Sequence, residues 1–249
     1  MSKIKRKNYS SLSSTEFEIA EFVIENELKV FRVKDIQKGL SHPKNKVYRQ
    51  LSKLKNKELV ESPMRGRYIL NLPNYSVSNF EAASHIYWPS YISFWTALSY
   101  HNLTDQLPHT IYVVNTETSK EIEFRNHKIQ FINLKPQIMF GYANYDGIIA
   151  EPEKAVIDSL HLPKYAGGIK EIVKALDREL DIQKLEYYAE KTGLSSVKKR
   201  LKYLLDRKNI KNDIEVEGGY VKLDPTNESG EYVTESLVED NVYNEVEEH

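Results

Sequence analysis

Apolar side chains in the first 75 residues recur at intervals of three and four, the spacing of amphipathic helices. The pattern predicts three helices, over residues 13–27, 31–39 and 44–57. Pro43 separates the second helix from the third, because proline suits the first turn of a helix and not its interior. Two short strands are expected next, over 59–62 and 68–70, joined by a turn at 63–67. This order predicts a helix-turn-helix with a hairpin wing.

The third helix has an apolar stripe of Val47, Leu51 and Leu54, which leaves the opposite face to polar side chains. Such a face can bond base edges and phosphates in a major groove. The residues that we expect to contact DNA are Asn45, Lys46, Tyr48, Arg49, Ser52 and Lys53 on the helix, Arg65 and Arg67 at the turn, and Lys5 and Arg6 in the N-terminal arm. The alternative is a basic helix hairpin with a merely solvated face. The basic turn and the basic arm favour DNA binding.

The distribution of charge supports this hypothesis, although the net charge of the whole chain is only −1. Residues 1–75 hold 16 Lys and Arg against 8 Asp and Glu, whereas residues 213–249 hold 1 against 12. A basic N-terminal region suits a polyanionic partner. The chain has no cysteine, which excludes disulfides and thiolate metal sites, and no apolar run approaches the roughly 20 residues of a membrane span. We therefore expect a cytoplasmic protein without a signal peptide.

The rest of the chain predicts a second domain, so that the expected fold class is α+β. We expect a winged helix-turn-helix domain over 1–75, a C-terminal domain of a small antiparallel sheet with several helices over 76–225, and an acidic tail over 226–249. The expected strands cover 111–114, 122–124, 129–134, 147–150 and 219–223, with hairpin turns at 115–117 and 125–127. The expected helices cover 79–86, 91–101, 151–161, 169–177, 181–192 and 197–207.

The last of these helices carries a second basic cluster, formed by Lys198, Lys199, Arg200 and Lys202. Two interpretations stay open: a solvated amphipathic helix, or a surface that contacts DNA or a partner. The acidic tail has little periodicity and is expected to be extended or disordered. It could cover the basic surface by charge attraction, which salt would weaken.

Acidic residues around position 150 raise the question of a metal site. Asp146, Glu151, Glu153 and Asp158 lie near Lys154 at a strand-to-helix junction, and carboxylates with a lysine can build a magnesium site in nucleases. However, Glu153 and Lys154 are adjacent, which puts them on different sides of a helix, and Lys154 with Asp158 has the spacing of an i, i+4 ion pair. The seven histidines show no zinc-ligand spacing. We therefore expect no catalytic residue, no metal site and no cofactor.

The order of these segments resembles that of the AbiEi-type antitoxins of type IV (abortive-infection) toxin–antitoxin systems. The likeness covers nearly the whole chain. Residues 91–98 and 101–108 look like the opening of that family's C-terminal domain, and residues 149–158, with the sequence IAEPEKAVID, look like its most specific motif. Residues 201–205 and 220–225 look like its closing helix and strand, whereas the acidic tail after residue 241 has no counterpart that we can place.

The resemblance implies a repressor that binds the promoter of its own operon through the winged helix. It also implies a C-terminal domain that counters a nucleotidyltransferase-type toxin, with or without binding it directly, and no enzymatic activity. The expected partners are therefore double-stranded operator DNA and the cognate toxin. Two alternatives stay open: a winged-helix regulator of other genes, with a ligand-sensing C-terminal domain as one form of it, and a metal-dependent nuclease.

Overall fold

A computed structural model of the chain describes residues 11–228 and 230–242. The fold is α+β: three helices and a β-hairpin precede a six-stranded mixed sheet and further helices. Buried apolar side chains form two clusters, one among the first three helices and a larger one around the sheet. We call the chain before residue 76 the helical unit and the chain from residue 76 onward the sheet unit. Within the described ranges, no helix is long and apolar enough to cross a membrane.

The helical unit contains α1 (Ser14–Glu25), α2 (Val33–Leu40), α3 (Lys44–Asn56), β1 (Val60–Met64) and β2 (Arg67–Leu70). Local sequence fixes the start of α1, because Ser13 and Glu16 form a capping box that satisfies free backbone N–H groups. The buried side chains of α3 are Val47, Leu51 and Leu54, the predicted apolar stripe. Every predicted helix and strand of this unit is confirmed to within two residues at each end.

The sheet unit contains twelve α-helices and β-strands before its C-terminal strands. They are α4 (Asn79–His85), β3 (Ser90–Ile92), α5 (Phe94–Tyr100), β4 (Thr110–Asn115), β5 (Lys120–Phe124), β6 (His127–Asn133), β7 (Tyr142–Tyr145), β8 (Gly147–Ala150), α6 (Pro152–His161), α7 (Ile169–Ala175), α8 (Ile182–Thr192) and α9 (Ser195–Arg207). The strand order is β5-β6-β4-β3-β8-β7. Helix α4 packs on β3 and β8, and α6 contacts α5, α7, α8 and α9.

The expected small antiparallel sheet is wrong, because β4 pairs with β6, and β3 with β8, in parallel. Residues 115–117 do not form a hairpin turn between β4 and β5, since β6 lies between these strands. The charges explain this order: Lys120, Glu121 and Glu123 suit an edge strand, where side chains meet water. In contrast, β6 carries the buried Ile129 and Phe131 in the interior of the sheet. The second expected turn, between β5 and β6, is confirmed.

The expected helix over 91–101 is also wrong at its beginning. Tyr91 and Ile92 lie in β3, between β4 and β8, and both are fully buried. Aromatic and β-branched side chains favour a strand with neighbours on both sides. Ser93 is still extended, and α5 begins after it at Phe94. Strand β7 at the opposite edge of the sheet was not expected from the sequence.

A separate three-stranded sheet follows α9, with β9 (Val221–Lys222), β10 (Glu231–Val233) and β11 (Val238–Asp240) in the order β10-β11-β9. Val238 is fully buried in the larger core, and Asp240 accepts a hydrogen bond from the Tyr203 hydroxyl at 2.5 Å. Of the two conformations expected for the tail, the extended one is confirmed for β10 and β11, and the disordered one is wrong for residues 230–242. Residues 243–249 lie outside the described residues.

The two units are in contact along the hairpin. Ile69 of β2 is fully buried, and it belongs to the core of the sheet unit rather than to that of the helical unit. Lys29 forms an ion pair with Glu81 of α4, with 2.5 Å between Nζ and Oε1. The hairpin is thus packed from both sides. The domain boundary at residue 75 stays a prediction.

Candidate nucleic-acid interface

Helix α3 presents a polar face to solvent because its apolar stripe is held by the core of the helical unit. Asn45, Arg49, Ser52 and Lys53 are exposed, and Tyr48 is 44 % exposed despite its aromatic ring. Five of the six residues predicted on this helix are therefore accessible. The sixth, Lys46, is half-buried.

The charges of this face have few partners within the protein. Among the described residues, Arg49 and Lys53 form no ion pair, so no acid of this part of the chain competes with an external anion for them. Lys46 differs, because its ammonium lies 3.5 Å from the ring nitrogens of His42. The ammonium of Lys44, which the sequence analysis did not single out, lies 5.8 Å from the centre of the Tyr48 ring.

The turn between α2 and α3 is fixed by short-range contacts. Ser41 ends α2 in a left-handed conformation, with φ of +54°, and Pro43 lies directly before the first residue of α3. The ring of His42 contacts the carboxylate of Glu18 on α1 at 2.9 Å, which ties the turn to the first helix. These contacts set the direction in which α3 leaves the core, and so the direction of its polar face.

The hairpin β1–β2 lies beside α3 and is extended by a third segment. Phe31 forms a β-bridge to Tyr68, with both backbone hydrogen bonds at 2.9 Å. The turn is made possible by Gly66, whose φ of +78° is readily adopted only by glycine. Arg65 at this turn is exposed, as predicted.

The second predicted arginine of the turn is directed to the sheet unit. Arg67 donates a hydrogen bond from Nε to the carbonyl oxygen of Ile86 at 2.7 Å, and its guanidinium lies 5.8 Å from the centre of the Tyr87 ring. Arg67 is half-buried, and its bond to Ile86 already uses one of its N–H donors. Lys5 and Arg6, the predicted contacts of the arm, lie outside the described residues.

The predicted second basic surface is wrong for two of its four members, which are buried. Lys199 is 2 % exposed and donates to the carbonyl oxygen of Gly219, and Arg200 is 5 % exposed. Arg200 donates to the carbonyl oxygens of Lys222 at 2.9 Å and Leu160 at 2.7 Å. Burial lowers the pKa of Arg200 to about 10, which leaves the guanidinium charged at neutral pH. Both cations stabilise the fold by bonding carbonyl groups.

The other two members of that cluster are paired with acids. Lys198 contacts Glu190 at 2.5 Å, and Lys202 contacts Asp206 at 3.1 Å. The predicted helix over 197–207 is confirmed as α9, which carries both side chains. However, it gave no information on the backbone carbonyls and acids that surround the helix in the fold.

The acidic group around residue 150 is not arranged as a metal site. Lys154 and Asp158 form a fully buried ion pair, as their spacing predicted. The Asp158 carboxylate also accepts hydrogen bonds from Tyr91 at 2.9 Å and Ser93 at 2.7 Å. Burial and the Asp158 charge raise the pKa of Tyr91 well above its ordinary value, so this hydroxyl stays protonated. Both oxygens of the carboxylate are thus engaged.

The remaining acids of that group either contact Lys184 or are exposed to solvent. Lys184 lies 3.4 Å from the carboxylate of Glu151 and 3.0 Å from that of Glu153, while the Tyr188 hydroxyl donates to Glu151. Asp146 is exposed. Within residues 11–228 and 230–242, no three His, Asp or Glu side chains converge as metal ligands would.

Compared with models of known protein families and with curated proteins, the chain matches none of them. The polar face of α3, the hairpin and the contacts around them are therefore the observations that bear on its function.

Proposed function

We propose that the chain is a DNA-binding antitoxin that represses its own operon through a winged helix formed by α2, α3 and the hairpin. The single observation that carries the DNA-binding part is the polar face of α3. Its exposed Arg49 and Lys53 have no ion pair among the described residues, and a packed core holds the helix in place. A helix with this arrangement can enter a major groove with its polar side toward the bases.

The hairpin supports the same proposal. In winged-helix proteins the wing lies beside the recognition helix and contacts the DNA backbone, for which an exposed arginine on a turn is suited. Arg65 occupies that position here. The basic excess of residues 1–75 adds the non-specific attraction that phosphate binding requires.

The antitoxin part of the proposal rests on the resemblance of the segments to AbiEi-type antitoxins. Under it, the sheet unit counters a nucleotidyltransferase-type toxin encoded beside this chain. The residues that correspond to the family's most specific motif are those of β8 and the start of α6, including the buried Lys154–Asp158 pair. We assign this segment a structural role, because its ion pair is inaccessible to a substrate.

The DNA-binding part is tested with the duplex that lies directly upstream of the chain's own gene. The parent chain is titrated against this duplex and against a random duplex of the same length. We expect tighter binding of the upstream duplex and loss of that preference in Arg49→Ala. Equal affinity of the parent chain for the two duplexes would overturn the autorepressor function.

The antitoxin part is tested by co-expression with the product of the neighbouring gene. Relief of its toxicity by this chain would support the proposal, and unchanged toxicity would leave a winged-helix regulator of other genes as the better function. The nuclease alternative is weaker, since the Asp158 carboxylate on which it depends is fully engaged by Lys154, Tyr91 and Ser93.

A further inference from the structure

A cleft of about 450 Å³ lies between the helical unit and the sheet unit, and we call it the inter-unit cleft. Its apolar lining comes from both units: Leu28 and Val30 precede α2, and Ile86 and Trp88 follow α4. Leu28 packs against the core of the helical unit, whereas Val30 packs against the core of the sheet unit. Small-molecule sites have volumes of this order and occur preferentially where two domains meet. The position and size of the cleft therefore suit a small ligand.

One side of the inter-unit cleft is formed by an indole ring. Trp88 is 67 % exposed, and its indole stacks on the imidazole of His85, with 6.4 Å between the ring centroids and 23° between the planes. The imidazole is held in turn by the carbonyl oxygen of Glu81, which lies 2.7 Å from Nδ1. Burial lowers the pKa of His85, so that this ring is neutral at pH 7. An indole with one face supported and the other open can stack on a flat aromatic ligand.

Two arginines bring N–H donors to the same cleft. Arg67 donates from Nε to the carbonyl oxygen of Ile86 at 2.7 Å, and within the described part of the chain its Nη groups have no acceptor. Arg32 donates from Nε and Nη2 to Asp35, at 3.2 Å and 3.3 Å, which leaves Nη1. A guanidinium carries five N–H groups, and two of them can bond one carboxylate or phosphate at once. The cleft therefore has donors for an anionic group.

The two acids at the cleft oppose an anion only weakly. Asp35 accepts hydrogen bonds from the backbone N–H of Arg32 at 2.8 Å and from its guanidinium, so that this acid and Arg32 balance each other. Glu117 is exposed, and water and salt screen its charge. Arg67 is half-buried, where a charge is screened less. The charge that a ligand in the cleft meets is therefore that of Arg67, reduced by Glu117.

We infer that the inter-unit cleft binds a small aromatic anion, a flat ring that bears a carboxylate or a phosphate group. The ring stacks on Trp88, and the anionic group accepts hydrogen bonds from the Nη groups of Arg67 and Arg32. The inference goes beyond the proposed function, because this ligand is neither DNA nor a toxin. No residue of α3 lines the cleft, so the ligand leaves the polar face of that helix free.

The combination of contacts favours a ligand that has both parts. An anion without a ring meets the guanidinium groups but not the indole, and an uncharged ring leaves the Nη donors without an acceptor. A cationic ring is disfavoured, because Arg67 repels it and the Asp35 carboxylate is already bonded to Arg32. A ring and an anionic group on one molecule therefore bind more tightly than either part alone.

The test is a calorimetric titration of the full chain in the absence of DNA. Adenosine monophosphate and benzoate are the aromatic anions with a phosphate and a carboxylate, and adenosine and inorganic phosphate represent the separate parts. The variants are Trp88→Ala, Arg67→Ala, Arg67→Lys and Glu117→Gln. Matched controls outside the cleft are Tyr187→Ala, at an exposed aromatic residue of α8, and Lys164→Ala, at an exposed lysine. The thermal midpoint of each variant verifies that it is folded.

We expect adenosine monophosphate or benzoate to bind with a Kd of about 1 mM or tighter, and adenosine and phosphate to bind about tenfold more weakly. Trp88→Ala and Arg67→Ala should each weaken binding about tenfold, the size of one lost stacking contact or charged hydrogen bond. Arg67→Lys should recover part of this loss, because an ammonium lacks the planar pair of donors. Glu117→Gln should instead tighten binding about twofold, since it removes an opposing charge. The two controls should match the parent.

Tryptophan emission gives a second measurement that locates the ligand. The chain has two tryptophans, Trp88 and Trp95, and only the first lines the cleft. Adenosine monophosphate should therefore change the emission of the parent and of Trp95→Phe. Trp88→Phe should abolish the change, because the remaining indole does not contact the ligand.

Three outcomes would overturn the inference. In the first, neither aromatic anion binds. In the second, inorganic phosphate binds as tightly as adenosine monophosphate, which indicates a contact of charge alone. In the third, Trp88→Ala and Glu117→Gln, both at exposed positions, bind the aromatic anions as the parent does, which places the ligand elsewhere. Because no DNA is present, each outcome leaves the preference for the upstream duplex, and so the proposed function, to its own test.

Discussion

Arg125 of the sheet unit donates two hydrogen bonds to the carboxylate of Glu61 on β1, from Nε at 2.7 Å and from Nη2 at 3.1 Å. A third bond runs from its Nη1 to the carbonyl oxygen of Val77, at the beginning of the sheet unit, at 2.6 Å. One side chain therefore holds the hairpin and the beginning of the sheet unit against the end of β5. Because its φ is +48°, Arg125 occupies a conformation that non-glycine residues rarely adopt.

We expect Arg125→Ala to lower the free energy of unfolding by about 1–2 kcal/mol, since it removes a bidentate, partly exposed ion pair. Arg125→Lys should recover only part of this loss, because an ammonium cannot bond both carboxylate oxygens in the same planar way. The measurement is urea unfolding of both variants, of Glu61→Gln and of the double variant. If the effects of Arg125→Ala and Glu61→Gln are simply additive, the two residues are not coupled.

The base-reading and phosphate-binding roles on α3 can be separated. A bidentate arginine contact to guanine contributes about 1–3 kcal/mol of discrimination. Arg49→Ala should therefore reduce the ratio of upstream to random duplex affinity, whereas Lys53→Ala should weaken both affinities alike and flatten their salt dependence. Gel-shift titrations at two salt concentrations measure both effects. Equal loss of specificity in the two variants would refute the assignment.

The buried ion pair of α6 gives a prediction about stability. Replacing one partner leaves the other charge buried and unpaired, so Lys154→Met should lower the free energy of unfolding by about 3–5 kcal/mol. Adding Asp158→Asn should restore part of this loss, because the amide is neutral and can still accept a hydrogen bond from Tyr91 or Ser93. Thermal or urea unfolding measures both. A double variant that is less stable than Lys154→Met would contradict the ion-pair explanation.

Glu16 should make the stability of the helical unit depend on pH. Burial raises the pKa of this carboxyl, but hydrogen bonds from Lys57 at 2.8 Å and from Ser13 at 2.6 Å outweigh it and leave the pKa below its ordinary value. A carboxyl with a depressed pKa in the folded state stabilises the fold above its unfolded pKa, and this stabilisation is lost as pH falls through the folded pKa.

Glu16→Gln should therefore be less stable than the parent at pH 7, and the difference should shrink in acid, below pH about 4. Urea midpoints across this range provide the measurement. Glu25→Gln, an exposed carboxyl on the same helix, is the matched control and should follow the parent. A Glu16→Gln deficit that stays constant down to pH about 3 would indicate a packing effect instead.

The sequence predicted the helical unit well because its information is local. The stripe of α3, the cap of α1 and proline before α3 each act over a few residues. Local patterns do not predict the order of the strands in the sheet, because β6 pairs with β4 although β5 lies between them in the sequence. The charges of β5 are a local signal in the sequence that favours an edge position for this strand.

The basic residues of the candidate interface and of α9 also differ in how far the sequence predicts their surroundings. Helical periodicity predicts the exposure of Asn45, Arg49 and Lys53, whereas for Arg67 and Arg200 the sequence offers only their charge. Arg67 meets Ile86, and Arg200 meets carbonyls of segments far away in the sequence. No spacing in the sequence relates these partners, so only the fold reveals which basic residues are free and which are structural.

Repression and toxin neutralisation should be separable in the full chain if the two units carry them. Arg49 and Lys53 are exposed on α3 and make no hydrogen bond or ion pair to the described part of the sheet unit. The double variant Arg49→Ala with Lys53→Ala should therefore lose repression of a reporter driven by the upstream duplex, yet still relieve the toxicity of the co-expressed neighbouring gene product. Arg200→Ala is the complementary control, because it removes a buried guanidinium from the sheet unit and should impair protection. If the folded double variant loses both activities together, DNA binding is required for protection and the division of roles is wrong.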